Sequence, residues 1–416
     1  MRRASRLRWP HRRSLVDDFD SVARGRPNCD RHELFAKLRK GKPILYSPTL
    51  KAWVVSRYDD ARSVLERHEF GHVKHGPGMI ILQGGFSDWS GREHSKKMGI
   101  VARRLGGARA MRDHIAAGIA AIAAELANRL PLEEEIDLKE AYAAQVPPLV
   151  ICKLMAIDEP AWLRTWYSTL MTNACQTAYD AIPAVVAESI GELERLIAPA
   201  LAERRGRPSA DLVSDLANAT FDGELLPDDE IVMVVAQLFA AMMETTERML
   251  TFALRHLSLN ADLIDALRER RDDDDPLAAF GAEALRLYSP IQAIARMAVE
   301  PACIAGRDVG EGETVFALLA SANRDERRFA DPHRFDPERF LPNPGRQFTA
   351  AGDILSFGAG EHRCTGSRLA ELTVVEALRQ LLGRVDRIDA VEEAVDTGGL
   401  IFWSPQSLPV VLHGAE

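Results

Sequence analysis

The sequence predicts a mainly α-helical protein with a minor β portion, built as one large domain. Segments rich in alanine and leucine dominate from Ala102 to about Leu267, and these residues favour helices. Within them, Ile231 to Met243 is apolar on every side except at Gln237, which is typical of a helix buried in a core. Strand candidates are few and short. With 416 residues, 46% of them hydrophobic, the chain is large enough to cover such a helix.

The remaining elements are assigned in chain order. The stretch from Met1 to Arg13 is rich in arginine, has no acid and lacks an apolar face, so we expect residues 1–27 to be a disordered basic tail. Residues 28–416 then form the single domain. Short apolar runs beside turn residues predict the strands: a hairpin of Ile44-Leu45 and Val54-Val55 around Ser47-Pro48-Thr49, then Thr314–Leu319, Leu400–Trp403 and Leu408–Leu412.

Charge and cysteine usage narrow the possible functions. The chain has 52 basic and 61 acidic residues, a net charge of −9, which argues against nucleic acid as the main partner. Its five cysteines are odd in number and widely spaced, so they indicate no disulfide framework, and we expect a reducing, cytoplasmic location. The sequence has no apolar run of about 18 residues, so no membrane anchor is expected.

The strongest local signal is the run Phe357-Gly358-Ala359-Gly360-Glu361-His362-Arg363-Cys364-Thr365-Gly366. Directly after it, leucine and valine recur at three- and four-residue spacing from Leu369 to Leu382, which predicts an amphipathic helix. A thiolate at Cys364 would lie at the N-terminus of that helix, where amide groups favour negative charge and lower a thiol pKa. The glycines let the backbone approach a bulky planar group. This arrangement suggests a thiolate ligand to haem iron.

A polar interruption marks the predicted central helix. Asp228-Asp229-Glu230 suits the start of that helix, because acidic side chains are favourable in a first turn. After the apolar stretch comes Glu244-Thr245-Thr246-Glu247-Arg248, before apolar residues resume at Met249. Burying an acid and hydroxyl groups costs several kcal/mol unless they are paired or hydrated. Buried polar side chains of this kind usually take part in a reaction, so we expect this turn to face a reaction site.

The cysteine run is similar to the haem-binding signature of the cytochrome P450 superfamily, Phe-Gly-x-Gly-x-His-x-Cys-x-Gly, and it matches all six fixed positions. The likeness extends over about residues 28–412. It implies a cytochrome P450 fold with the central buried helix over haem b, iron protoporphyrin IX. Cys364 would be the axial thiolate to the iron, and Phe357, Gly358, His362 and Gly366 would bind the cofactor.

The polar turn resembles a second family pattern, alanine-glycine-x-acid-threonine-threonine, with Ala241-Met242-Met243-Glu244-Thr245-Thr246 in that register. The resemblance implies that Thr245 hydrogen-bonds the bound dioxygen or its water, and that Glu244 relays protons from solvent. Met242 departs from the family, which usually has glycine there. Its thioether could narrow the pocket or point at the substrate, or Met242 and Met243 could be ordinary core residues.

Two more patterns resemble family elements around the cysteine. Glu283, Arg286 and Arg339 occur in the order of the family's Glu-Arg-Arg triad, which would fix the segment leading to Cys364. The residues that match propionate ligands of the haem are His94, Arg296 and His362. Four residues after His94 the family often has an arginine, and this chain has Met98. Either Lys97 or Arg103 could substitute for it.

The resemblance implies a haem-thiolate monooxygenase that inserts one oxygen atom from dioxygen into a small hydrophobic organic substrate, by hydroxylation, O-dealkylation or epoxidation. The candidate substrate pocket is apolar and rich in alanine; its residues are Ile81, Leu82, Ala240, Ala241, Met242, Ala293, Ile294 and Trp403. Two alternatives keep the fold: a hydrogen-peroxide-driven peroxygenase and a non-catalytic haem-binding protein. The presence of Thr245 disfavours the peroxygenase.

Electrons are expected from a separate protein, because the sequence shows no flavin-binding or cysteine-rich iron–sulfur segment. We expect the donor to be an acidic ferredoxin or flavodoxin with its reductase, and the protein itself to be a monomer. Basic residues near the cysteine in sequence or in the family topology could form a docking face for this donor. They are Lys96, Lys97, Arg103, Arg104, Arg363, Arg368 and Arg379.

Overall fold

The computed structural model of the protein describes residues 14–25, 29–73, 85–106, 115–174, 184–392 and 394–414, and it confirms a mainly helical fold with a minor β portion. The helices are α1 (Leu15–Ala23), α2 (Arg31–Gly41), α3 (Tyr58–Glu66), α4 (Gly91–Gly106), α5 (Ala116–Arg129), α6 (Val146–Met155), α7 (Pro160–Ala174), α8 (Ala184–Arg204), α9 (Leu212–Ala217), α10 (Asp228–Ser258), α11 (Ala261–Glu269), α12 (Asp274–Tyr288), α13 (Leu319–Ala322) and α14 (Ser367–Arg384). Short 3₁₀ turns cover Pro337–Arg339 and Pro344–Phe348, and a π-helical turn covers Lys139–Ala143.

The β portion consists of short strands in several small sheets. The strands are β1 (Ile44–Ser47), β2 (Ala52–Val55), β3 (Phe70–Gly71), β4 (Glu135–Asp137), β5 (Thr220–Phe221), β6 (Glu224–Leu225), β7 (Ala293–Ala298), β8 (Ala302–Ile304), β9 (Arg307–Val309), β10 (Thr314–Leu318), β11 (Val385–Ala390), β12 (Asp396–Gly398), β13 (Trp403–Pro405) and β14 (Pro409–Gly414). The largest sheet has the order β1-β2-β10-β7-β3. Its β1–β2 hairpin pairs Ile44 with Val55, as the sequence predicts. The predicted strands at 314–319 and 408–412 are also confirmed, whereas at 400–403 only Trp403 belongs to a strand.

The N-terminal part differs from the expected disordered tail. Residues 15–23 form α1, with Phe19 and Val22 fully buried in a core cluster that also contains Leu34 of α2. Ser14 caps this helix, since its hydroxyl accepts a hydrogen bond from the Asp17 amide while its own amide donates to the Asp17 carboxylate. Residues 1–13 and 26–28 lie outside the described residues. The expectation was wrong for residues 15–23 because apolar burial stabilises this segment.

The predicted central helix is α10, which runs for 31 residues through the core. Asp228, Asp229 and Glu230 occupy its first turn, as expected. It packs against α6, α8, α12 and α14 and against β13. The polar Gln237 is buried in this helix, where its side-chain oxygen accepts a hydrogen bond from the Ser87 amide. Across the described ranges, no helix combines the length and apolar character needed to cross a bilayer.

Helices α12 and α14 pack closely and place two predicted site segments side by side. At Gly281 of α12, an added Cβ would lie 2.8 Å from Val374 Cγ1 of α14, so only glycine permits this approach. Glu283 lies two residues further along α12, and Cys364 lies just before α14. The packing of these two helices therefore sets the frame in which the cysteine loop is held.

Candidate active site

The cysteine loop is fixed by its backbone. Gly358 and Gly360 have positive φ angles of 69° and 75°, and an added Cβ on Gly360 would lie 2.4 Å from the Leu65 carbonyl oxygen. Glycine is therefore required at position 360. The Cys364 amide donates to the Phe357 carbonyl oxygen at 2.8 Å, which closes the loop on itself. Gly366 then forms the N-cap of α14.

The Cys364 side chain is accessible, yet it lies deep in the protein. Burial raises the pKa of its thiol, and this effect outweighs the opposing hydrogen bond from the Gly366 amide and the charge of Arg363. Accessibility together with dense surroundings indicates that the sulfur faces an internal cleft. The amide at the helix N-terminus thus acts in the expected direction, but burial outweighs it and the net change in the thiol pKa is upward. A metal ion deprotonates a coordinating thiol outright, so a soft metal ion is a fitting partner for this sulfur.

Basic side chains crowd around His362 of the loop. The His94 and His362 rings are 4.4 Å apart between centroids, and the His72 ring lies 3.8 Å from His362. Burial lowers the pKa of His362 to about 3, and the charges of His72, His94 and Arg296 act in the same direction. Arg296 is only 5% exposed, and burial alone lowers its pKa to about 10. Such a cluster fits an anionic group with more than one carboxylate, as a haem has.

The predicted substitutes for the arginine missing at position 98 do not join this cluster. Lys97 is buried and its ammonium group pairs with Glu93 at 2.8 Å and with Glu230. Arg103 is exposed on α4, and Met98 is buried in the main core. Lys97 therefore already has two carboxylate partners, and the sequence reasoning missed His72 as the additional basic group.

The predicted triad forms a fully buried network. Glu283 and Arg286 both have 0% exposed side chains and share two hydrogen bonds of 2.7 Å. Arg339 Nε donates to Glu283 Oε1 at 3.1 Å, and the Asp336 amide donates to the same oxygen at 2.8 Å. The remaining guanidinium N–H groups of Arg286 donate to backbone carbonyl oxygens, which are those of Asn323, Pro332 and Arg334. This network ties α12 to the irregular segment that precedes the cysteine loop.

Asn323 extends the network toward the cysteine, and sequence reasoning missed it. Its side-chain amide donates to Ser356 Oγ at 2.8 Å, while its side-chain oxygen accepts from the Leu355 amide at 2.7 Å. Ser356 Oγ in turn donates to the Leu285 carbonyl at 2.7 Å. A single asparagine carries no sequence signal for this role, because its partners come from distant segments.

One turn of α10 faces open space in the middle of an otherwise buried helix. Ala241 is exposed, although both halves of α10 lie in the core. The Thr245 hydroxyl donates to the Ala241 carbonyl oxygen at 2.5 Å. Glu244 is half-buried: its Oε2 accepts from the Tyr167 hydroxyl at 2.5 Å, and its Oε1 accepts from the Arg248 guanidinium. The predicted acid and hydroxyl groups thus lie next to an internal cleft, and both have partners.

Comparisons with known proteins agree with this geometry. The family model described as Cytochrome P450 matches residues 276–386, which include Glu283, Arg339 and Cys364. Cytochrome P450 109 of Bacillus spizizenii is 28% identical over 354 residues, which are 84% of this chain and 83% of the relative. The structure of cytochrome P450 CYP109Q5 from Chondromyces apiculatus superposes with a TM-score of 0.79 at 26% identity, covering 96% of this chain and 98% of the other. The chain belongs to the cytochrome P450 superfamily.

Other similar P450 enzymes are monooxygenases. Linalool 8-monooxygenase of Pseudomonas putida is 27% identical over 380 residues, covering 86% of this chain and 89% of the relative. Mycinamicin IV hydroxylase/epoxidase of Micromonospora griseorubida is 28% identical over 380 residues, covering 87% and 89%. This P450 is therefore an oxygen-incorporating oxidoreductase, a haem-thiolate monooxygenase at the level of the family. A P450 uses haem, an organic substrate, dioxygen and a redox partner.

The predicted pocket residues of this P450 differ in their exposure. Ala241 is exposed to the cleft, while Ala240, Met242 and Ile294 are half-buried and pack against the main core. Ala293 is 1% exposed and lies in the core cluster of α1 and α2. Ile81 and Leu82 lie outside the described residues.

Trp403 is only 8% exposed. Its ring packs 5.3 Å from Phe252 and 5.4 Å from His32, between centroids. The preceding Phe402 is half-buried, and the Arg248 guanidinium lies 5.3 Å from its ring centroid. Since successive side chains of an extended segment alternate between faces, Phe402 is the better candidate for the cleft side.

Proposed function

We propose that this P450 inserts one oxygen atom of dioxygen into a small hydrophobic organic molecule, by hydroxylation, O-dealkylation or epoxidation, with haem b as its cofactor. The observation that carries the proposal is the accessible Cys364 sulfur, densely surrounded, on the glycine-containing loop directly before α14. When bound, the haem supplies the activation of dioxygen at its iron. The protein supplies the thiolate, the proton donors, and a cleft that excludes bulk water. A reducing cytoplasm, expected from the cysteine usage, remains a prediction.

We propose that the cofactor is held at two ends by different chemistry. Cys364 Sγ provides the metal ligand, on the loop fixed by the Phe357 carbonyl and the positive φ angles at Gly358 and Gly360. Gly366 lies directly behind the sulfur, where an added Cβ would be 3.9 Å from Sγ. At the other end, the propionates are assigned to three basic groups. These are His94, Arg296 and His362.

We propose that Thr245 and Glu244 deliver protons. Before either side chain can do so, it must break the hydrogen bond or ion pair that it makes in the structure. The Thr245 hydroxyl can donate to a ligand in the cleft only after it leaves the Ala241 carbonyl. The Glu244 carboxylate can turn to the cleft and relay a proton there only after it leaves its partners, the Arg248 guanidinium and the Tyr167 hydroxyl. A positioned proton donor typically accelerates a reaction by about 10²–10⁴-fold.

Replacing Thr245 by alanine is expected to uncouple electron use from product formation. Product formed per NADPH should fall by at least about tenfold, because the hydroxyl that positions the proton is lost. NADPH oxidation should continue and release hydrogen peroxide. The measurement is the ratio of product to NADPH consumed, with surrogate ferredoxin and reductase.

The adjacent Thr246→Ala variant is the matched control and should keep the wild-type ratio. Hydrogen-peroxide-driven turnover of Thr245→Ala should remain near the wild-type level. If Thr245→Ala left the product ratio unchanged, Thr245 would have no role in proton delivery, and the peroxygenase alternative would gain support.

Oxygen labelling tests the proposed reaction. With NADPH, a surrogate donor and ¹⁸O₂, a hydroxylated or epoxidised product should contain one labelled oxygen atom. Product whose added oxygen comes from water or peroxide would contradict the proposal.

The cleft supports a hydrophobic substrate. Its exposed and half-buried residues on α10, Ala240, Ala241 and Met242, are apolar, and Ile294 adds a further aliphatic side chain. Two relatives are named for the organic molecules on which they act, linalool and mycinamicin IV. A spin-shift screen with small hydrophobic compounds would identify ligands that displace water from the iron.

We propose an acidic ferredoxin or flavodoxin as electron donor, and a monomeric enzyme, which light scattering would check. The predicted docking face is largely neutralised. Lys96 pairs with Asp222, Arg104 pairs with Asp215, Arg368 pairs with Glu371, and Arg379 pairs with Asp274 and Glu376. Arg363 turns inward and donates to Ser367 Oγ at 3.0 Å. Arg103 remains an exposed basic residue of this face.

Reversing the charge at Arg103 is therefore expected to weaken donor binding. Arg103→Glu should raise the donor's KM by about threefold to tenfold at low ionic strength, and the effect should shrink at 0.5 M salt. Steady-state reduction with an acidic ferredoxin measures it. Lys37→Glu on α2, also an exposed charge reversal, is the control. Equal KM values for the two variants would contradict this docking face.

A further inference from the structure

The cofactor end of the site contains a third imidazole that the family resemblance does not account for. His72 follows β3 directly, and its ring lies nearly perpendicular to that of His362, with centroids 3.8 Å apart and an interplanar angle of 85°. On another side of His362, the His94 ring lies 4.4 Å away at 65°. His362 thus lies between two other histidines.

The sheet fixes the place of His72. Strand β3 pairs with β7 in an antiparallel register, with Phe70 opposite Ala298 and Gly71 opposite Met297. Continuing this register by one residue puts His72 beside Arg296, the buried arginine of the cluster. Side chains carried by a paired backbone are positioned more accurately than those on free loops. His72 therefore leaves the sheet next to the strand that carries Arg296.

The cluster has an excess of basic groups. Its members are His72, His94, His362 and Arg296, and the charges that perturb His362 all come from the other three. Glu361 is the nearby acid: its Oε1 is 3.6 Å from His94 Nδ1 and accepts a hydrogen bond of 2.7 Å from the Gly91 amide at the start of α4. Glu361 is already used at a helix terminus, and burial, with no carboxylate of the described residues acting on it, lowers the pKa of Arg296, so the cluster can receive an anion.

A metal ion does not explain the three histidines. Among the residues that the structure describes, no group of three or more histidine, cysteine, aspartate or glutamate side chains is arranged to hold one. An anion with two carboxylates does explain them, because each imidazole N–H can donate to a carboxylate oxygen. The arginine that many P450s carry four residues after His94 is Met98 here, and Met98 is buried in the core.

We infer that His72 is a further haem-binding residue of this P450, donating a hydrogen bond to a propionate and compensating for the arginine replaced by Met98. This inference rests on the proposed haem-thiolate function. It assigns to His72 a role in retaining the cofactor and none in the chemistry at the iron.

Haem release tests this inference. His72→Phe keeps a ring against His362 but removes both nitrogen atoms, and His72→Gln keeps a donor. Transfer of haem to excess apomyoglobin should be about tenfold faster from His72→Phe than from wild type, the loss expected for one hydrogen bond to a charged group. His72→Gln should lie near wild type. The control is His68→Phe, four residues earlier, where the side chain is 86% exposed and pairs with Glu69 and Glu300.

The outcomes are distinct. Equal transfer rates for His72→Phe and His68→Phe would overturn the role of His72. If His72→Phe fails to fold, His72→Ala and His72→Gln are compared instead. We expect haem release to be faster from His72→Ala than from His72→Gln, and equal release rates would contradict the role of His72. The reduced carbon-monoxide spectrum should be unchanged in all variants. A wild-type protein that binds haem without the thiolate band would refute the proposed function, while the release rates would still decide His72.

Discussion

Replacing Cys364 by serine is expected to remove the thiolate band from the reduced, carbon-monoxide-treated protein and to abolish monooxygenation. Serine has no acidic thiol, so the iron would lose its anionic sulfur ligand. The loop itself should persist, because the bond between the residue-364 amide and the Phe357 carbonyl is a backbone interaction. Turnover should fall by more than about a thousandfold, as when an essential group of a catalytic unit is removed. Absorption spectra and product formation measure the two effects.

Cys303→Ser is the matched control, since Cys303 is also a free, accessible cysteine but lies on β8. It should keep the band and the activity. A Cys364→Ser protein that retained the thiolate band would show that another residue ligates the iron, and the assignment of Cys364 would be wrong.

Glu283→Gln is expected to destabilise the protein by about 3–5 kcal/mol, the cost of breaking a buried ion pair. The neutral amide leaves the buried Arg286 guanidinium without its charge partner. Its single oxygen can still accept from Arg339 and the Asp336 amide, but the NH2 group that replaces the other oxygen cannot accept from Arg286 Nε. Because this network holds the segment before the cysteine loop, the variant should also bind less haem. Urea unfolding and the ratio of haem to protein absorbance measure both.

A pair with the same spacing provides the control for Glu283→Gln. Asp273 pairs with Arg270 three residues away at 3.1 Å, and both side chains are half exposed. Asp273 also caps α12, a role that asparagine fills equally well. Asp273→Asn should therefore change the stability by less than about 1 kcal/mol, because exposed pairs contribute little. Equal stabilities for the two variants would contradict a structural role for the triad.

The parts of the site that the sequence predicted well are those encoded locally. The cysteine loop needs glycine at position 360 because an added Cβ would collide with the Leu65 carbonyl oxygen. That glycine belongs to a short contiguous motif, so the sequence alone indicates it. The apolar stretch of α10 and the three-residue spacing of Glu283 and Arg286 are also local. The ion pair of Glu244 and Arg248 has four-residue helical spacing, and that spacing could have indicated it.

The parts that the sequence did not predict depend on contacts between distant segments. Tyr167 reaches Glu244 from α7, and His72 reaches His362 through the pairing of β3 with β7. The choice between Phe402 and Trp403 depends on which of these two neighbouring side chains lies beside Arg248, and a shift of one residue reverses it.

The N-terminal helix α1 is a different case, because the sequence contains a pattern that predicts it. Leu15, Phe19 and Val22 have the spacing of one helical face, and Ser14 with Asp17 forms a capping box. Because the residues before them are rich in arginine, the predicted disordered tail was extended too far along the chain.

The ligation of iron by Cys364 is tested most directly by the absorption spectrum of the wild-type protein, loaded with haem, reduced and exposed to carbon monoxide. We expect a Soret band at distinctly longer wavelength than that of a histidine-ligated haem, because Cys364 would provide the iron with an anionic sulfur ligand. A folded, haem-loaded protein whose band stays at the position typical of nitrogen ligation would contradict it.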